Sequence, residues 1–526
     1  MWRRIQKWLQ RGSQQQSRNA SGNADSPLVD SLKDNLQSIQ RAFGNSADLK
    51  SREVTAGPGS GWRVALVYLD DLVEKPVLHD QVVAAIQRHG ALHQGRAAGA
   101  DLLQLLERAV LGVARVERVQ TLTRLVASLL DGDTAVLLDG QATALLAETT
   151  GRKKRSITEP AIESVVRGPR KGFVETIGVN VAQLRQILRT PRLRFKSLTL
   201  GETSQTPVWI GYLEGRVDPR VLAEVERRLR RIKAQAILES RYIEEHIADN
   251  RWTPFPLVDN TERPDKVVAA LLEGRVAILT EGTPFVLLVP TVMAHLLQTP
   301  EDYYTLLHFA TFARVMRTVG IVATLTFPAF YVALVSYHHE MIPTTLALAL
   351  VAAQKNVPFP ALIEALILEL IFEALRESGL RLPGPAGQAV TMVGALILGQ
   401  AAIQANLVTP MMVITVTAAG IASFTMPNYQ LALAFRTLRF PLTLLAGMFG
   451  FPGVLSGLMI LFFHLCSLRS FGVPYLTPIA PLRVKDLDDA YLRLPHWISR
   501  GGFQLRPRQG PKRVQIRESG SGGKQS

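Results

Sequence analysis

The chain has 526 residues, 47% of them hydrophobic, and its 59 Lys and Arg against 44 Asp and Glu leave a net charge of +15. The single cysteine, Cys466, excludes a disulfide framework and a cysteine-based zinc site. The basic residues are scattered among acidic ones and no recognition motif accompanies them, which argues against nucleic acid and favours membrane lipid as their partner.

Residues 1–60 read as a basic, disordered N-terminal tail. Met1 to Leu9 is basic and aromatic but lacks the apolar core of a signal peptide, and Gln10 to Ala24 is polar and of low complexity. A first α/β subdomain is expected over 61–158. Trp62 to Asp70 is an apolar, β-branched run that predicts a buried strand, and Pro76 opens a helix carrying Val82, Val83 and Ile86. Asp139-Gly140 between two apolar runs predicts a hairpin.

The same order recurs over 159–312. Pro207 to Glu214 predicts a strand, Asp218-Pro219 opens a helix, and Glu281-Gly282 sits at the turn of a second hairpin. Tyr212-Leu213-Glu214 mirrors Tyr68-Leu69-Asp70, so the two halves read as two similar α/β subdomains produced by internal duplication. Between them, Gly168-Pro169 and Gly172 predict a turn, and Phe173 to Leu188 an amphipathic helix.

From 313 to 475 the composition changes to that of an all-α polytopic membrane domain of four to six segments. Leu382 to Phe435 contains no Asp, Glu, Lys or Arg, enough for two spans of about 20 residues separated by Thr409-Pro410. Pro427-Asn428 ends the second of these. Further apolar runs cover Thr318 to His339, with Pro328 near the middle as a kink, and Pro441 to Leu468, with a glycine-rich break at Gly447 to Gly453. Pro343 to Ala353 is too short to span. His338-His339-Glu340 could suggest a metal, but adjacent helical positions diverge too far to close on one ion, so no metal site or cofactor is expected.

Two features of this part could carry function. On Ala361 to Glu377, Glu369, Glu373, Arg376 and Glu377 share a face while Glu364 sits alone among aliphatics; these acids are either embedded, and then costly and functional, or a wet surface face. In the run from Gly387 to Leu407, Val393, Ile397, Gln400 and Gln404 fall in one stripe at helical spacing. Such a stripe can either line a narrow pathway or hold helices together. Residues 476–526 form a basic tail, and basic flanks place both termini on the cytoplasmic side. There is no Walker A, Gly-x-Ser-x-Gly or His-Glu-x-x-His sequence, so no enzyme is expected.

Several stretches together resemble a known family. Arg167-Gly-Pro-Arg-Lys-Gly-Phe-Val-Glu175, Tyr212-Leu-Glu-Gly215, Glu281-Gly-Thr-Pro-Phe285 and Thr299-Pro-Glu-Asp-Tyr-Tyr304 resemble the soluble half of GerA-family A subunits of spore germinant receptors. Pro328-Ala-Phe-Tyr331, His339-Glu-Met-Ile-Pro343, Pro358-Phe-Pro360, Arg381-Leu-Pro-Gly-Pro385, Gly399-Gln-Ala-Ala402 and Ala422-Ser-Phe-Thr-Met-Pro427 resemble its membrane half. The motifs run in order from about 160 to 485, and Gly168, Pro169, Gly172, Glu175, Pro343 and Pro427 are their structural residues.

The resemblance implies an integral protein of the spore inner membrane that works with a transporter-like B subunit and a lipoprotein C subunit. It implies a homo-oligomer forming a germinant-gated cation channel. With that expectation, Val393, Ile397, Gln400 and Gln404 become candidate pore-lining residues, and Pro383, Gly384 and Pro328 candidate hinges. A non-conducting scaffold that relays a signal is the alternative, and stage V sporulation AF-type paralogues, which amplify germination, share most of these motifs. A secondary transporter fits less well, because paired broken helices are not evident.

Overall fold

In the computed structural model, residues 26–55, 63–92, 115–151, 165–381 and 397–482 are described, together with a few isolated positions between and beyond them. Helix α1 (Leu32–Phe43), strands β1 (Leu49–Thr55) and β2 (Arg63–Leu69), a helical run α2 (Lys75–Val77, Leu78–Val83 and Ala84–Leu92), β3 (Val116–Val119), α3 (Leu122–Asp131), β4 (Thr134–Leu138) and β5 (Ala144–Ala147) follow in order. Then come α4 (Ile177–Ile187), β6 (Leu193–Leu200), β7 (Thr206–Leu213), α5 (Pro219–Arg230), α6 (Ser240–Ile247), β8 (Asp259–Thr261), α7 (Pro264–Leu272), β9 (Val276–Thr280) and β10 (Val286–Val289).

The strands form two five-stranded sheets of identical order, β1-β2-β4-β5-β3 and β6-β7-β9-β10-β8. Every ladder is antiparallel. Both faces of the first sheet are covered, which is why β2 reads as a continuous apolar run. Val64 and Leu66 pack with Val82 and Ile86 of α2, while Ala65, Val67 and Leu69 pack with Ile39 and Phe43 of α1 and Leu125 and Leu129 of α3.

The likeness of the two halves reaches individual hydrogen bonds. The Asn35 amide clamps Val29, accepting from its N–H (3.0 Å) and donating to its carbonyl (2.5 Å). The Asn180 amide clamps Val174 in the same way, at 2.9 and 2.6 Å. Asp139 accepts from the N–H of Leu32 at the start of α1 (3.2 Å), as Glu281 does from Ile177 at the start of α4 (2.8 Å). Gly140 and Gly282, both at positive φ, donate to the carbonyls of Asp30 and Glu175.

These bonds correct the expectation of a tail over 1–60. Residues 32–55 supply α1 and β1 of the first sheet, because Leu32, Ile39 and Phe43 recur at helical spacing and are buried. Residues 1–25 lie outside the described part. Where the two sheets meet, the Arg185 guanidinium of α4 donates from Nε to Asp48 Oδ2 (2.8 Å) and from Nη2 to Asp48 Oδ1 (3.1 Å), with both side chains inaccessible to solvent. Phe43 and Phe195 flank the guanidinium at 5.8 and 5.3 Å.

A second, helical unit comprises α8 (Leu307–Tyr337), α9 (Thr344–Gln354), α10 (Ala361–Arg381), α11 (Pro410–Ser423), α12 (Tyr429–Phe449) and α13 (Phe451–Ser467), besides helical residues 397–404. Among the described residues, α8 and α12 are long and apolar enough to cross a membrane, and α9, α11 and α13 are shorter apolar helices. This unit also takes in Trp252–Leu257 and Pro290–Gln298, from within the interval expected to be the second α/β subdomain. Phe255 packs edge-on against Phe435 with ring centroids 5.4 Å apart, and Thr253 shares a hydrogen bond with His464 (3.0 Å).

Pro441 does not begin a span, as expected from the apolar run, but lies inside α12. Pro328 is buried within α8, which is continuous through it. The glycine-rich break separates α12 from α13 at Gly450, whose φ of +63° and ψ of −145° suit a residue without a Cβ. There the Tyr337 hydroxyl donates to the carbonyls of Gly447 (2.9 Å) and Met448 (3.0 Å), and the His338 ring lies against Phe451.

Candidate functional site

Helix α10 carries five ionisable residues from Glu364 to Glu377, and the structure settles which are wet. Glu377 is exposed and paired with Arg381 on its own helix at 2.6 Å. Glu364 and Glu369 are fully buried. Glu364 Oε2 accepts from both the N–H (2.8 Å) and the hydroxyl (3.0 Å) of Thr409, the residue that precedes α11. A buried carboxylate at a helix start satisfies a backbone donor and meets the positive end of the helix dipole.

Glu369 and Glu373 face α12 instead. Glu369 Oε1 lies 3.2 Å from Arg439 Nε, with neither side chain exposed, and accepts from the Thr443 hydroxyl at 3.4 Å. Glu373 Oε1 lies 3.0 Å from Arg436 Nε, and its Oε2 accepts from Arg436 Nη2 at 3.1 Å. Arg439 Nη2 is also 4.0 Å from Glu373. Two carboxylates four residues apart on one helix therefore match two guanidiniums three residues apart on the other. Small residues let the helices approach: a Cβ on Gly420 of α11 would lie 2.5 Å from the Phe372 ring of α10.

Sequence reasoning missed Arg436 and Arg439 because they were read only as the end of an uncharged run. Their signal was the complementary spacing of Glu369 and Glu373. In an apolar environment such pairing offsets the desolvation of each charge.

The stripe is only partly described. Ile397, Gln400 and Gln404 are all exposed on helical residues 397–404, whereas Val393, Pro383 and Gly384 lie outside the described residues. Pro343 precedes α9 and Pro427 occupies the turn between α11 and α12. Gly168, at φ +140°, packs against the Tyr304 ring. The Pro169 carbonyl accepts from Arg263 Nη2 (3.0 Å) and the Gly172 carbonyl from Gln183 (3.2 Å). Arg263 also grips Asp265 at 2.7 Å, which in turn accepts from the Tyr304 hydroxyl at 2.8 Å. These motif residues hold a turn in place.

The α+β unit also contains a cleft of about 1760 Å³ lined by charges of both signs, among them Asp71, Arg115, Arg124, Asp133 and Glu148. Burial, with Asp70 and Asp48 nearby, pushes the Asp71 carboxyl up to about 6.

The family described as Bacillus/Clostridium GerA spore germination protein matches residues 37–503. The chain belongs to the GerA family. The match begins well before the recognisable motifs, as the first sheet's place in the fold would require. The GerA-family chain is 38% identical to spore germination protein KA of Bacillus subtilis (strain 168) over 93% of its own length and 88% of that protein. It is 39% identical to the uncharacterized membrane protein YfkQ of the same organism, over 90% of this chain and 91% of YfkQ. Over 51% of its length it is 31% identical to the N-terminal domain of the A subunit of the Bacillus megaterium spore germinant receptor GerK3, covering 98% of that crystal structure with a TM-score of 0.41.

Proposed function

We propose that this GerA-family chain is the A subunit of a spore germinant receptor and lines a germinant-gated cation pathway as a homo-oligomer. The observation that supports the pathway is the exposure of Gln400 and Gln404, one turn apart in a stretch of otherwise apolar helical residues 397–404. An amide facing hydrocarbon forfeits its hydrogen bonds, so such a face is favoured against water or against a second copy of itself. Around an oligomer axis, both conditions are met. Ile397, one turn before Gln400, supplies an apolar constriction; by sequence spacing alone Val393 continues the stripe, and Pro383-Gly384, like Val393 outside the described residues, is assigned as a hinge at its mouth.

Family membership and the names of the relatives support the receptor role, and α8 and α12 support a membrane location. In this reading the helical unit is polytopic in the spore inner membrane, the α+β unit and the basic tail lie on the core side, and transporter-like B and lipoprotein C subunits complete the receptor.

The test is water access. Gln400→Cys and Gln404→Cys, each in a Cys466→Ala background, are treated with a membrane-impermeant thiol reagent in the assembled receptor. The reading expects both to react and the modification to block cation release. Cysteines that react only with lipid-soluble reagents would place this face against lipid and end the pore assignment.

A further inference from the structure

Among the described residues, the α10–α12 network is not charge-neutral. It contains three guanidiniums, Arg376, Arg436 and Arg439, and two carboxylates, Glu369 and Glu373. The remaining acids of α10 are committed elsewhere, Glu364 to Thr409 and Glu377 to Arg381. No acid occurs between Leu382 and Phe435, so the segment joining these helices holds no further carboxylate.

The donors carry the same imbalance. Among the described residues, six buried guanidinium nitrogens of the cluster (Arg376 Nη1, Arg436 Nε and Nη1, Arg439 Nε, Nη1 and Nη2) lack a hydrogen-bond partner, against two buried carboxylate oxygens, Glu369 Oε2 and Glu373 Oε1, so open donors outnumber open acceptors. The Arg439 side chain is wholly inaccessible and that of Arg436 only 5% exposed. Arginine does not shed its proton, so the excess charge cannot be removed by titrating the guanidinium. Water could satisfy the donors but would leave the charge. Phe424 and Tyr429 lie 4.8 and 5.9 Å from the Arg376 guanidinium carbon, yet cation–π attraction is weaker than the desolvation penalty of a buried ion.

We propose that this cluster binds one small monovalent inorganic anion, held between the open guanidinium donors of Arg376, Arg436 and Arg439. The excess of one positive charge sets the valence, and the enclosure of Arg439 sets the size. Half-buried Arg376, at the outer end of the cluster, is the side from which the ion enters. The inference rests on the charges and donors of these two helices and is independent of where the cation pathway runs.

The experiment uses the full-length chain in zwitterionic nanodiscs, with chloride replacing gluconate at constant ionic strength while thermal unfolding is followed. Wild type is expected to gain a saturable roughly 2–4 °C as chloride occupies the site. Arg376→Met, which brings the cluster to neutrality at its least buried member, is expected to remain folded and lose the chloride response. Glu373→Gln, which raises the excess, is expected to reach half-maximal stabilisation at lower chloride. A wild-type chain indifferent to chloride, or an Arg376→Met chain that responds as wild type does, would overturn the proposal. A chloride response abolished by adding phosphatidylglycerol would overturn it too, assigning the site to a lipid phosphate.

Discussion

Replacing Asp48 by asparagine would leave the Arg185 guanidinium buried without a counter-charge at the junction of the two sheets. Arg185 and Asp48 have essentially no exposed side-chain surface and meet through two hydrogen bonds of 2.8 and 3.1 Å. Removing one member of such a buried pair costs about 3–5 kcal/mol, because the remaining charge is neither solvated nor paired. Asparagine can still accept one hydrogen bond, so the lower figure of about 3 kcal/mol is expected. The double variant Asp48→Asn with Arg185→Met loses the Arg185 bonds to the Thr190 carbonyl and the Ser46 hydroxyl and the two aromatic contacts, but strands no charge. Its penalty should therefore be smaller than that of Asp48→Asn alone.

The two units need not unfold together, so amide hydrogen exchange of α4 and β6 is a better measure than a global midpoint. Asp48→Asn should accelerate exchange there by roughly 100-fold, the equivalent of about 3 kcal/mol, and the double variant by distinctly less. Unchanged exchange in Asp48→Asn, or penalties that simply add, would refute the reasoning.

Two further perturbations address other parts of the molecule. The folded pKa of Asp71, about 6, lies above its unfolded value of 3.8, so its protonated form stabilises the fold fully below the unfolded value and that contribution is lost as pH rises through about 6. Asp71→Asn should raise thermal stability at pH 7.5 by up to about 3 kcal/mol and flatten its dependence between pH 4 and 6; an unaltered pH profile would show that this carboxyl is not the group concerned. In the helical unit, Gly420→Ala puts a methyl group against Phe372 and should cost about 1–3 kcal/mol by overpacking. Adding Phe372→Leu should recover part of the lost melting temperature, and no recovery would mean the close approach is not limiting.

Much of the α+β unit was legible because its strands carry local signals. Asp139-Gly140 and Glu281-Gly282 announce their hairpins, and Tyr68 to Asp70 echoes Tyr212 to Glu214. Helix α1 was hidden by the low-complexity stretch that precedes it. Its signature is the spacing of Val29 and Asn35, repeated in Val174 and Asn180, and two residues six apart mean little until the amide is seen closing on the backbone.

In the helical unit, local patterning worked against the reading. Arg436 and Arg439 look like the edge of a membrane run when taken alone, and Pro441 looks like a helix start. The proline removes only one backbone donor, and α12 continues through it while packed on α8 and tied to α10 by Glu369 and Glu373. Those pairs join residues far apart in sequence, so their meaning depends on a packing that periodicity does not encode.

The central claim is that this chain contributes the ion pathway through the stripe of Val393, Ile397, Gln400 and Gln404. Its most direct test is cation flux through liposomes containing the purified full-length chain, comparing wild type with Val393→Ser and Gln400→Leu. The account predicts conduction that Val393→Ser raises or renders ungated and Gln400→Leu lowers. Liposomes that stay tight around a demonstrably assembled oligomer, or flux indifferent to both side chains, would contradict it.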